Sequence, residues 1–195
     1  MARLPAVQVF IDEVRTIFAE EADMEARFER VRPRLQELLK DAKLNKRSED
    51  WPFRNDPARR YVENLLFYED PDHGFVLNSL MKKPGEVTSV HDHAHTWTLY
   101  GVLRGGERVT RYVRKDDGAS DVKAELEKID DRVVSPGYID FVRPYEVHVE
   151  ATGDEPTVGV IFRSHKVGGF PQNHYDVETG AIMKSKGPVQ IPYDL

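Results

Sequence analysis

Three histidines fall within five residues in the segment Val90-His91-Asp92-His93-Ala94-His95. On an extended strand, residues i and i+2 share one face, roughly 6.6 Å apart along the chain. His91 and His93 can therefore converge on one ion, each at about 2.0–2.1 Å, while Asp92 points the other way. His95 is expected to face solvent or to brace a ligand. The chain contains no cysteine. Thiolate ligands, iron–sulfur clusters, disulfides and a Cys nucleophile are thereby excluded, and a metal must use His and carboxylates. Imidazole suits Zn, Fe, Cu and Ni, so ligand type does not choose among them.

The elements that would position these histidines are short strands. From Tyr61 onward, apolar runs alternate with turn signals: Asp70-Pro71-Asp72-His73-Gly74, Lys83-Pro84-Gly85, Arg104-Gly105-Gly106, Asp116-Asp117-Gly118, Ser135-Pro136-Gly137 and Thr152-Gly153-Asp154. The runs 98–103, 107–113, 138–142 and 157–162 are rich in β-branched and aromatic residues, which predicts an all-β sandwich or barrel. The first 50 residues differ. Val9, Phe10, Val14, Ile17 and Phe18 recur at helical spacing, with Pro5 suited to a first turn. Phe28, Val31, Leu35, Leu38 and Leu39 repeat the pattern, and Pro33 predicts that this second helix begins late or kinks. Trp51-Pro52-Phe53 reads as an anchor onto the main domain. The tail after Lys166 reads as irregular but partly packed, through Phe170, Tyr175 and Tyr193. The expected organisation is a helical segment, residues 1–50, packed on a barrel domain with a C-terminal tail, residues 51–195.

The spacing around the histidines resembles the cupin superfamily. Gly85, five residues, His91-x-His93, four residues, Thr98, six residues and Gly105 match its first motif. Pro136-Gly137 through Pro144 to His148 match the second. The resemblance implies a mainly β fold, a cupin double-stranded β-helix (jelly-roll barrel) with an N-terminal helical segment, and it supplies His148 as third metal ligand. Most cupins carry Glu where this chain has Thr98, a poor ligand for a divalent cation. The implied set is three His, which leaves positions open for water, substrate or dioxygen, as a catalytic site requires.

Three-His cupins include the thiol dioxygenases, and the likeness to them extends over roughly residues 57–180. It is carried by Tyr61-Val62-Glu63-Asn64-Leu65-Leu66, the Asp70-Pro71-Asp72 turn, the histidine segment, Trp97 to Gly105, and Tyr175-Asp176-Val177-Glu178-Thr179-Gly180. By resemblance the metal is Fe(II), with Zn, Ni or Mn as alternatives, and the activity is that of a non-haem Fe(II) dioxygenase acting on a small molecule and O2. Two features depart from the family. Its enzymes hold the substrate carboxylate with an Arg two residues after the Tyr equivalent to Tyr61, and here that position is Glu63. At roughly 4 Å and an effective dielectric near 20, such a charge reversal is worth several kcal/mol, enough to exclude cysteine from that pose. The family's Ser-His-Tyr row becomes Gly159, Ile161 and Arg163, which removes a Tyr and offers a cation. Tyr61, Glu63 and Arg163 are therefore the candidate substrate-handling residues. The predicted substrate carries an anionic group near Arg163 and a cationic or hydroxyl group near Glu63.

Other residues read more plainly. Trp97 and Tyr100 suit core or rim aromatics, His165 and His174 a polar surface, and Asp130-Asp131 a solvated turn. Net charge is −6 and pI about 5.7, which argues against a nucleic-acid partner. No apolar run approaches 18 residues, so no membrane span is expected. MARLPAVQVF lacks the long apolar stretch of a signal peptide, which makes the cytoplasm the default. By analogy with other cupins, a homodimer is a further expectation. A redox-inert isomerase, lyase or hydrolase, or a ligand-binding cupin without catalysis, are the competing readings.

Overall fold

A computed structural model describes residues 3–54 and 63–195. Tyr61 lies outside the described residues, as does the side chain of Glu63, whose backbone opens the first strand.

The chain begins with α1 (Pro5–Glu20), α2 (Met24–Leu38) and α3 (Ala42–Arg47). Pro5 occupies the first turn of α1, where its missing N–H costs nothing. Asp23 and Asp41 cap α2 and α3 by accepting from the amides of Ala26 (2.8 Å) and Leu44 (2.7 Å). Pro33 lies inside α2, so the helix does not begin after it. Pro33 and Glu29, whose carbonyl loses its partner, are both exposed, so water can satisfy that carbonyl. Val9 is also not on the buried stripe of α1. It is 57% exposed, while Val7, Phe10, Ile11, Val14, Ile17 and Phe18 are buried.

Among the described residues, twelve strands follow: β1 (Glu63–Glu69), β2 (Val76–Lys82), β3 (Val90–His91), β4 (Thr98–Arg104), β5 (Glu107–Arg114), β6 (Leu126–Val134), β7 (Ile139–Val142), β8 (Val147–Thr152), β9 (Thr157–Arg163), β10 (Pro171–Tyr175), β11 (Ile182–Lys186) and β12 (Val189–Pro192). They form two six-stranded sheets, ordered β12-β1-β2-β9-β4-β7 and β11-β10-β3-β8-β5-β6. All pairings are antiparallel except β1 with β12. This mainly β architecture is the expected jelly roll with an N-terminal helical segment. The turns fall where Gly signalled them, and Gly74, Gly85, Gly105, Gly118 and Gly137 all adopt positive φ.

The helices cover the outer face of the first sheet. Phe162 on β9 sits at the centre of that contact, with ring centroids of Phe28, Phe75, Phe10 and Phe18 5.0–6.0 Å away. Gly101 on β4 lets the helices pack close, since a Cβ there would press on the Leu39 side chain at 2.8 Å. Trp51 anchors the helical segment as expected: it is buried and packs on Phe67 at 5.0 Å.

Two further expectations are corrected. The tail is not irregular, because β10 and β11 extend the second sheet and β12 extends the first. Asp130-Asp131 is not a turn but lies within β6, beside a bulge where Arg111 pairs with Asp130 and Tyr112 with Lys128. The outer face of β6 meets solvent, so its polar sequence carries no turn signal.

Candidate metal centre

Strand pairing brings the three histidines together. β3 is only two residues long, yet it lies between β10 and β8 and sets His91 directly opposite His148. The ring centroids are 4.6 Å apart for His91–His148, 4.8 Å for His93–His148 and 5.1 Å for His91–His93. One donor atom from each lies within 4.8 Å of the other two.

Backbone carbonyls orient two of the rings. His91 Nδ1 donates to the Ser89 carbonyl at 2.8 Å, and His148 Nδ1 to that of Glu146 at 3.3 Å, which leaves Nε2 of each as the available donor. Nε2 of His148 and Nδ1 of His93 are buried without a hydrogen-bond partner among the described residues. Orphaned buried nitrogens of this kind cost roughly 1–3 kcal/mol each, and a shared cation would give them a partner. Burial lowers His91 to about 3, and burial together with Arg163 pulls His93 well below the usual imidazole range. Both rings are therefore neutral at pH 7, the form that binds metal. The residues present fit a divalent ion.

Asp92 points away from the cluster, as its place between the two ligands requires, and ties their loop down. Its carboxylate accepts from the Ala94 amide (2.9 Å), Asn173 Nδ2 (2.8 Å) and the Tyr175 hydroxyl (2.8 Å), and the residue is fully buried. Ala94 and Tyr145 both adopt left-handed φ, and the Tyr145 amide donates to the Ala94 carbonyl at 2.8 Å. The loops before and after the site are thus locked to each other. Arg111 clamps the second of them by pairing with Asp140 and with Glu146 (2.9 Å).

The cluster opens onto a cavity of about 560 Å³ between the sheets, lined by His91, His93, Arg163, Glu150, Tyr100 and Arg54 among others. Arg163 is 4% exposed, and its Nε and Nη1 have no partner among the described residues. Burial lowers its guanidinium to about 10, still charged at neutral pH. Gly159, Ile161 and Arg163 alternate along β9, and Ile161 and Arg163 line this cavity. Gly159 has its own reason, since a Cβ there would meet the Tyr100 ring at 2.6 Å. Lys82 Nζ lies 5.1 Å from that ring's centroid and forms a buried ion pair with Glu107.

Several site residues were not foreseen. Glu150 follows His148 by two on β8, and the period of two that linked His91 to His93 would have nominated it. Burial pushes its carboxyl up, but Lys82 and the neighbouring histidines outweigh this and hold it below the usual range. Arg54 is a second cavity arginine, 3.3 Å from Glu86. His174 is not a bland tail residue. It pairs with His91 across β10 and β3, stacks on it at 6.0 Å, and shares hydrogen bonds with the hydroxyls of Ser89 and Ser185, both 2.6 Å. Trp97 packs between Phe28 and Phe141, and His95 is exposed beside His165 and Phe170.

Two sheets folded as a jelly roll, with a His-x-His pair and a third His meeting between them, define a barrel with a candidate metal centre. No family model matches the chain. Among solved structures, it is similar to a recombinant oxalate oxidase in complex with glycolate (20% identity, 47% of this chain and 42% of that chain covered, TM-score 0.38). It is also similar to the Schizosaccharomyces pombe Cnp3 cupin domain (10%, 53% and 60%, 0.41) and to the DMSP lyase DddQ from Ruegeria pomeroyi (16%, 61% and 44%, 0.37). The matched part spans about half the length of these solved chains. No helix among the described residues is long and apolar enough to cross a membrane.

Proposed function

We propose that this protein is a mononuclear non-haem Fe(II) dioxygenase, related in site design to the thiol dioxygenases but with a different substrate. The observation that carries this reading is the convergence of three imidazoles at a cavity that also holds the buried Arg163, whose Nε and Nη1 have no partner among the described residues. His91, His93 and His148 would hold the ion, and Thr98 contributes no carboxylate to fill a further position. Bound Fe(II) would supply the means to activate dioxygen and to bind a substrate donor atom.

The protein's own groups account for binding and orientation. Arg163 offers unused N–H donors to an acid group, and its low-dielectric setting strengthens that contact. Tyr100 and Ile161 wall the cavity and limit it to a small molecule. Neutral imidazoles leave the ion's positive charge uncompensated, which favours an anionic donor such as a thiolate. Tyr61 and Glu63 stay in this proposal as candidate substrate contacts.

The test is oxygen consumption by the Fe(II)-loaded protein with a panel of small thiols, amino acids and diketones. Uptake is expected with a compound bearing an acid group, and Arg163→Met is expected to raise its KM about 100-fold, as for a lost buried charge-assisted contact. Stoichiometric iron binding without oxygen uptake on any compound would overturn the dioxygenase reading.

A further inference from the structure

We infer that Glu150 completes the metal centre, supplying the carboxylate oxygen that Thr98 cannot. The inference rests on the reading of the three histidines as metal ligands. It assigns a fourth, anionic donor from a different strand.

Three observations support it. First, Glu150 shares the inward face of β8 with His148, and its Oε1 stands 3.7 Å from His148 Nε2. Two donors each about 2.1 Å from one ion lie about 3.0 Å apart at a right angle and about 3.4 Å apart in a tetrahedron. The carboxylate stands outside the group of three histidine donors, so a side-chain rotation must carry Oε1 toward it. Second, the two oxygens are already differentiated. Oε2 accepts from Thr88 Oγ1 at 2.9 Å, which fixes the carboxylate plane and leaves Oε1 for the ion. Third, the carboxylate lacks a contacting countercharge. Glu150 is 8% exposed, and among the described residues no Lys or Arg nitrogen lies within 4 Å of it. Lys82 is committed to Glu107. A buried carboxylate is retained when a cation compensates it, and a divalent ion against His148 would do so.

The consequence is a centre of three His and one Glu, neutralised by one charge. Two positions of an octahedral ion stay open for substrate and a second small ligand, so the catalytic reading survives. Thr98 then needs no ligand role, and its buried, unpartnered hydroxyl faces the same interior.

Co(II) is the probe, followed by its visible absorption, by calorimetric titration and by the rise in melting temperature on metal addition. The wild type is expected to bind one Co(II). Glu150→Gln is expected to weaken binding at least tenfold, to change the band positions and intensity, and to shrink the metal-induced rise in Tm. The unfolding midpoint of the metal-free variant is measured alongside, so that a loss of fold is separated from the loss of a ligand. Glu150→Asp withdraws the oxygen by one methylene and should fall between the two. A Co(II) affinity and spectrum unchanged in both variants, with binding abolished in His148→Ala, would overturn the Glu150 assignment alone. Absence of Co(II) binding by the wild type would overturn the metal centre itself.

Discussion

The two faces of the first sheet are chemical opposites, and β9 shows it within seven residues. Val158, Val160 and Phe162 point at the helices into a dry aromatic cluster. Gly159, Ile161 and Arg163 point between the sheets, where charged and hydrogen-bonding groups stand without partners. All seven residues of the strand are buried, so burial alone does not separate the two. The difference teaches that stability and ligand handling are assigned to opposite sides of one strand. The helix-covered face supplies the apolar contact that lets the interior keep orphaned polar groups, which would destabilise a protein with no other core.

Substitutions on neighbouring residues sharpen this contrast most. Phe162→Ala should destabilise the protein by about 3–5 kcal/mol in urea unfolding, because it opens a cavity among four aromatic rings. Arg163→Met, one residue further, should leave unfolding unchanged or raise its midpoint while removing substrate binding. A large stability loss in Arg163→Met would break the comparison. Next in size is Asp92→Asn, which weakens the anchoring of the loop between the two ligands. By analogy with other residues that orient metal ligands, it should lower metal affinity about 10- to 100-fold, read by competition with a chelator, with the fold retained.

The smallest effect is the pH dependence of the metal-free protein. His91 and His93 are neutral when folded, with folded values below an unfolded value near 6.5. Below that pH the unfolded chain binds more protons, so stability is complete above about 6.5 and falls as pH drops toward 3. Each histidine contributes a slope approaching about 1.4 kcal/mol per pH unit within that window. Urea midpoints at pH 7 and pH 5 check it, and saturating metal, which keeps the folded imidazoles unprotonated, should raise the midpoints while leaving the slope in place. A metal-free stability independent of pH over this interval would show that the imidazoles are not desolvated as the interior requires.

Much of the architecture was legible because it rests on local periodicity. The buried stripes of α1 and α2, the Gly turns, and the strands 98–104, 107–114 and 157–163 are each written in a few consecutive residues. His91 and His93 were legible for the same reason, as an i, i+2 pair with Asp92 directed away. Where the neighbourhood decided, reading failed. Pro33 is tolerated because its side of α2 faces water. Asp130 sits in a strand because β6 has one solvated face. The tail joins both sheets because partners far away in the chain are waiting for it.

By itself, then, the sequence determined a jelly-roll pattern, a metal-capable histidine pair and, through a family resemblance, a third histidine and an interior arginine. Only the tertiary structure decided what surrounds them. It placed a two-residue strand between β10 and β8 so that His91 faces His148, stacked His174 against His91, and brought Arg54 and Arg163 to one cavity. It also left Glu150 beside His148 with no contacting cation among the described residues. The reason is physical: side-chain alternation is set by each strand's own backbone, whereas pairing between strands, and the desolvation and charge balance of what they enclose, depend on residues far apart in the chain.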